Sequence, residues 1–168
     1  MTSQDDHFRE WCQEFYKTQY AGMDVNDITD TPGQLTKGDT EIVPGFGDPN
    51  IYFDHKVNRR KSNELLVELI QSAATPKHPN FLGWFYNLTE CNFILMGYYD
   101  GPASCTLESA YKIDLKKLRE WFLGLKQKLE TEEIRAHSKI SVQGWGITLM
   151  LFIPYEPLEM DGIAERIA

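Results

Sequence analysis

The chain reads as an α/β protein in which a mixed central β-sheet is flanked by helices. Three observations predict this. Residues 3 to 20 carry an apolar stripe at helical spacing, Phe8, Trp11, Cys12, Phe15 and Tyr16. A second helical stripe begins after Asp114, with Leu115, Leu118, Trp121, Phe122, Leu125 and Leu129. Between and beyond them lie several short apolar runs at strand length, set apart by Gly/Pro turns. Helices and strands interleaved in this way imply a sheet with helices packed on it.

In order, Ser3 or Asp5 caps the first helix. Residues 21–34 hold several Asp and Asn residues with Pro32 and Gly33, and read as loop. Strands follow at about 36–43 and 50–57. The turn Pro44-Gly45-Phe46-Gly47-Asp48-Pro49 joins them as an antiparallel hairpin. Residues 65–70 (LLVELI) have strand length, residues 75–80 read as loop, and residues 83–86 form a short aromatic segment. Residues 92–99 (NFILMGYY) read as a buried strand, and 105–113 as another after a turn at Asp100-Gly101-Pro102. Asp114 caps the second long helix. A last strand at about 146–153 is followed by a helical or frayed tail from Leu158.

Length and composition bound the function. At 168 residues the chain makes one domain, residues 1–168. Its 42% hydrophobic, 12% aromatic and 25% charged content belongs to a globular protein rather than a disordered one. No apolar run approaches bilayer length, and the N-terminus lacks the basic and apolar regions of a secretory signal, so no membrane association is expected. Cys12, Cys91 and Cys105 are scattered, odd in number and without a CxxC pair. Reduced thiols and a cytoplasmic location follow as expectations. The net charge of −8 argues against broad coating of nucleic acid. One local basic strip survives it, His55-Lys56-Val57-Asn58-Arg59-Arg60-Lys61.

The chemistry concentrates in residues 37–56, KGDTEIVPGFGDPNIYFDHK. Alternation along the second strand points Tyr52, Asp54 and Lys56 to one face and Phe53, His55 and Val57 to the other. The hairpin brings Asp39 near Asp54. An acid and a lysine among apolar neighbours are costly unless paired or bound to something. Two carboxylates suit a hard divalent cation that keeps several waters, and a neighbouring lysine can orient a water or offset charge on a phosphate. Asp39 and Asp54 are therefore candidate ligands and Lys56 a candidate catalytic group. The same Asp-x-Lys spacing recurs at Asp114-Leu115-Lys116, where it reads as a helix cap and an exposed lysine.

Asp39 on one strand and Asp54-His55-Lys56 on the next, within this element order, resemble the PD-(D/E)XK nuclease superfamily. The resemblance runs from the first helix to about Trp121 and is nearest to small bacterial and phage nuclease-like proteins. Its further pieces read Gly38-Asp39, Val67-Glu68-Leu69, Gly83-Trp84-Phe85 and Leu118-Arg119-Glu120-Trp121. The chain departs from the pattern in carrying Gly38 where the superfamily name implies proline. The resemblance implies a restriction-endonuclease-like core, a Mg²⁺ or Mn²⁺ cofactor with no organic cofactor, hydrolysis of DNA phosphodiesters, and in many such nucleases a homodimer. It assigns core roles to Asp39, Asp54 and Lys56.

Several residues support that site. Glu68 is either a further metal ligand or a buried acid paired with a cation. The related fold often has an acid in its first helix facing the site, and Glu14, beside the apolar stripe, is the better placed of Glu10 and Glu14. Arg59, Arg60 and Lys61 are candidate phosphate contacts, and Gln71 lies at a strand end where it could touch phosphate or a metal-bound water. The four histidines lack zinc-site spacing, and Gly45-Phe46-Gly47 opens no helix, so it is turn chemistry. The acidic balance, with a pI near 5.0, leaves a rival reading open, a non-catalytic protein-binding or DNA-mimicking module. A third is a globular protein whose hairpin acids merely pair with Lys56 and Arg59.

Overall fold

The computed structural model describes residues 3–71, 82–131, 137–143 and 146–168, without the side chains of 70, 71, 126, 129, 137–143, 146 and 147. The expected loop at 75–80, and the proposed roles of the Gln71 and Leu129 side chains, lie outside the described part. The elements run α1 (Gln4–Gln19), β1 (Asp24–Asp27), α2 (Thr31–Lys37), β2 (Thr40–Val43), β3 (Ile51–Asn58), β4 (Glu64–Gln71) and α3 (Trp84–Asn87). They continue with β5 (Phe93–Tyr99), β6 (Leu107–Asp114), α4 (Leu115–Leu123), α5 (Leu125–Glu130), β7 (His137–Gln143), β8 (Gly146–Pro154), α6 (Tyr155–Met160) and β9 (Ala164–Arg166). No described helix is long and apolar enough to cross a membrane.

The architecture is α/β, with a mixed, mostly antiparallel sheet flanked by helices. The main sheet has six strands in the order β1-β2-β3-β5-β6-β9. Its one parallel pair is β3 with β5, Phe53 opposite Phe93 and Lys56 opposite Met96. A second, three-stranded sheet has the order β4-β8-β7.

The central strand β5 explains the layering. Every residue from Ile94 to Tyr99 is buried, and successive side chains serve two different cores. On one face Leu95 and Tyr99 join Phe53 and Ile42 beneath Phe8, Cys12 and Tyr16 of α1. On the other, Ile94, Met96 and Tyr98 join Leu65 and Val67 of β4, Leu151 and Ile153 of β8, and Leu115, Leu118 and Trp121 of α4. Burying each such side chain contributes about 1.5–3 kcal/mol. This is why an unbroken apolar run, rather than an alternating one, marks the middle of the sheet.

The expected caps form. Ser3 closes a capping box with Asp6 at the start of α1. The Asp114 side chain accepts from Lys117 N at 3.0 Å at the start of α4. Arg119 of α4 donates to the carbonyls of Phe85 and Leu88, at 2.7 and 2.8 Å, and so ties down the end of α3.

Four expectations need correction. Residues 21–34 are not loop: β1 pairs with β2, and Asp30 caps α2, accepting from Gly33 N at 2.8 Å with Pro32 in the first turn. The first hairpin strand accordingly starts at Thr40, because α2 occupies the chain to Lys37. The helix after Asp114 breaks at Gly124 into α4 and α5. The tail does not fray: after α6, β9 adds to β6 with Tyr111 opposite Arg166, and Ala110 N donates to the Ala168 carbonyl at 3.1 Å.

Candidate metal and phosphodiester site

The site is built where α2 hands the chain to β2. Gly38 ends the helix at φ 99°, a conformation that disfavours any side chain. Asp39 then enters the sheet. Its N–H donates to the Phe53 carbonyl and its own carbonyl accepts from Ile28 N, both at 2.8 Å. Its carboxylate Oδ2 accepts from the backbone N–H of His55 at 2.8 Å. Strand β3 thus holds both the main chain and the side chain of Asp39, which removes most of the rotamer freedom an exposed aspartate would keep.

Asp54 lies opposite Ile94 near the start of the parallel pair, with its side chain only 6% exposed. Lys56, two residues on and on the same face, places Nζ 2.8 Å from Asp54 Oδ2 and keeps a third of its side chain exposed. That oxygen accepts no hydrogen bond of good geometry among the described residues, so the lysine neutralises it more than it satisfies it. Burial pushes the Asp54 carboxyl up, Lys56 pulls it down, and charge repulsion and a shared hydrogen bond with Asp39 raise it again, leaving it at about 6. Burial pulls the Lys56 ammonium down, but Asp54, then Asp39 and Glu68, outweigh it and hold its pKa above the ordinary value. Among the described residues, Asp39 and Asp54 set two carboxylates against the Lys56 ammonium in a partly desolvated place, a setting that suits a cation.

The residues do not all open onto one space. Asp54, Lys56 and Glu68 line a cleft of about 500 Å³ between β3, β4 and α3. Asp39 lines a smaller hollow of about 220 Å³ on the His55 side and meets Asp54 at the boundary, while Gln34 of α2 borders both. Glu68 comes from the second sheet, at a register shift between Glu68 and Ile70. Gly83 permits that arrangement, because a methyl group there would overlap the Glu68 carbonyl. Among the described residues no three His, Cys, Asp or Glu side chains close into a ready-made cage.

The other candidates separate clearly. Glu14 does not face the site. It sits on the solvent side of α1, 72% exposed and 2.6 Å from Lys17, because the buried stripe is Phe8, Cys12 and Tyr16. Arg59 borders the cleft, exposed and 3.9 Å from Asp5. Arg60 is exposed, and Lys61 lies 3.4 Å from Glu108.

Sequence reasoning missed His55, which it placed on the far face as a packing residue. The ring does lie on that face, with Nε2 2.6 Å from the Tyr16 hydroxyl and Nδ1 3.8 Å from Asp39 Oδ2. Burial lowers the pKa of the ring, and Asp39 partly offsets this. Its backbone clasp on Asp39 depends on hairpin register, for which the residue type gives no signal. Asn58 and Asn87, which also border the cleft, were likewise not singled out as site residues.

The donor set is of the type a hard divalent ion takes, carboxylate oxygens beside a cleft with room for water and phosphate oxygens. No protein-family model, curated protein or solved structure matches this chain.

Proposed function

We propose that the protein is a Mg²⁺- or Mn²⁺-dependent nuclease that hydrolyses DNA phosphodiesters on a restriction-endonuclease-like core. One observation carries this reading: buried Asp54 and the cation Lys56 line a cleft large enough for a nucleotide, and Asp39 reaches Asp54 from the adjoining hollow. Asp39 and Asp54 are the ligands, with Glu68 available from the facing strand. The bound ion supplies charge neutralisation at the phosphate and a lowered pKa for the attacking water.

The chain's own groups divide the rest of the work. The raised pKa of Lys56 keeps it an ammonium at neutral pH, so it acts as a hydrogen-bond donor and fixed positive charge beside the reacting phosphate. Asp54, with its carboxyl at about 6, is ionised above that pH and available to hold the ion. The His55 backbone N–H keeps the Asp39 carboxylate in place before any ligand arrives, so little reorganisation is needed. In the strip Arg59, Arg60 and Lys61 that follows β3 directly, Arg59 borders the cleft and is the phosphate contact the strip offers there.

The test is incubation of supercoiled plasmid, linear duplex and single strands with Mg²⁺ or Mn²⁺ and with chelator. Chelator-sensitive cleavage that Asp54→Ala and Lys56→Ala abolish is expected. Full cleavage by either variant would dismiss the site. No cleavage of any substrate, with metal-independent binding of a protein or groove, would turn the reading to a non-catalytic acidic module.

A further inference from the structure

We infer that the cleft beside Asp54 admits an unpaired nucleobase, so that the substrate is a single-stranded or frayed segment of DNA rather than an intact duplex. The inference rests on the nuclease reading for its consequence, but its evidence is separate, and it starts from burial. Asp54 is 4% exposed as a residue. A phosphodiester that reaches it has to enter the cleft, and at about 500 Å³ the space falls among pockets for one small ligand, about 300–1,000 Å³. A base splayed out of its stack fits such a space, whereas a base pair held within a duplex does not.

The walls have the chemistry of a base site. Leu66, Trp84 and Met96 give it an apolar part on which a ring can lie. Two amides border it with complementary capacity to spare. Asn87 spends its Nδ2 on the Leu82 carbonyl at 2.7 Å, which leaves the Oδ1 acceptor. Asn58 spends its Oδ1 on the Arg60 N–H at 3.1 Å, which leaves the Nδ2 donor. A donor and an acceptor over an apolar wall match the edge and face of a splayed base.

Charge points the same way. Among the described residues the cations bordering the cleft are Lys56 and Arg59. Lys56 is held by Asp54, and Arg59 lies near Asp5. Duplex binding draws much of its affinity from cations set on phosphates. A net charge of −8 fits that kind of binding poorly and favours contacts to bases.

The experiment reads binding without metal. A labelled 12-nucleotide strand, the same strand lacking its bases, and the blunt duplex are titrated with the full chain and followed by fluorescence anisotropy at 50 and 200 mM salt. The intact strand is expected to bind at least tenfold more tightly than either the duplex or the abasic strand. Its affinity should change less than tenfold with salt. Leu66→Asp, which places a charge in the apolar wall, and Asn58→Asp, which keeps the acceptor and removes the donor, should each weaken the intact strand at least tenfold. If Leu66→Asp does not fold, Asn58→Asp decides. Equal or tighter binding of the duplex, equal binding of the abasic strand, no strand binding, or wild-type affinity in the folded variants would overturn the inference. The nuclease reading stands or falls separately, on whether metal-loaded protein cuts any DNA.

Discussion

Gly38 packs directly against Asp54. A methyl group on Gly38 would lie 2.8 Å from Asp54 Cβ and 2.6 Å from the Phe53 carbonyl oxygen, and Gly38 holds φ 99° besides. The residue before Asp39 is therefore chosen by the residue it must pass. In a pattern whose name implies proline there, the glycine has its own steric reason.

Gly38→Ala is accordingly expected to destabilise the protein by about 2–4 kcal/mol, combining backbone strain with a backbone clash. The chain can relieve that clash only by moving Asp39 and Asp54 apart, so divalent-ion affinity should fall with stability. Urea denaturation with Mn²⁺ calorimetry checks both. A variant with wild-type stability would show that the contact relaxes freely.

Asp54→Asn is expected to stabilise the fold while abolishing cleavage. The sign follows from its raised carboxyl. The folded state binds the proton more tightly, so the associated stability is fully present below the ordinary value of 3.8 and lost as pH rises through about 6. At pH 8 a neutral isostere recovers roughly 2–3 kcal/mol. Comparing denaturation midpoints of wild type and variant at pH 5 and pH 8 tests this, and the gain should be smaller at pH 5.

Metal affinity should depend on pH through the same carboxyl. Since the ion needs the ionised form, Mn²⁺ binding is expected to level off above pH 7 and to weaken about tenfold per unit well below pH 6. Calorimetric titrations from pH 5 to pH 8 measure it. Affinity unchanged across that range would remove Asp54 from the ligand set.

Lys56→Ala separates catalysis from binding. Loss of the ammonium should cost about 10²–10³-fold in cleavage rate. Mn²⁺ affinity at pH 8 should be kept or improved, since a fixed positive charge 2.8 Å from Asp54 Oδ2 opposes a second cation. Loss of metal binding in this variant would make the lysine a structural partner of Asp54 only.

Glu14→Gln, by contrast, is expected to cut within twofold of wild type, because its carboxylate faces water beside Lys17. A large loss of rate would bring that face of α1 into the mechanism.

Much of this was legible along the chain, because local rules acted alone there. Period 3.6 gave α1, period 2 put Asp54 and Lys56 on one side of β3, and the unbroken apolar run marked β5 as a buried strand. Residues 21–34 were misread because their polar composition resembles a loop. What makes β1 a strand is its pairing with β2, and what makes α2 a helix is a cap and a proline in its first turn.

The sequence by itself determined the main candidates for chemistry and which face of β3 Asp54 and Lys56 would take. Only the tertiary structure decided how they meet: that β4 leaves the main sheet for a second one and brings Glu68 to the cleft, and that Asp39 reaches Asp54 from a neighbouring hollow while the His55 backbone holds it. It also left Glu14 in solvent. The physical reason is range. Side-chain direction follows from dihedral periodicity within a few residues, whereas strand partnership and the burial that lifts the Asp54 carboxyl come from segments far apart in the chain, brought together by the gain from closing two apolar cores on either face of β5.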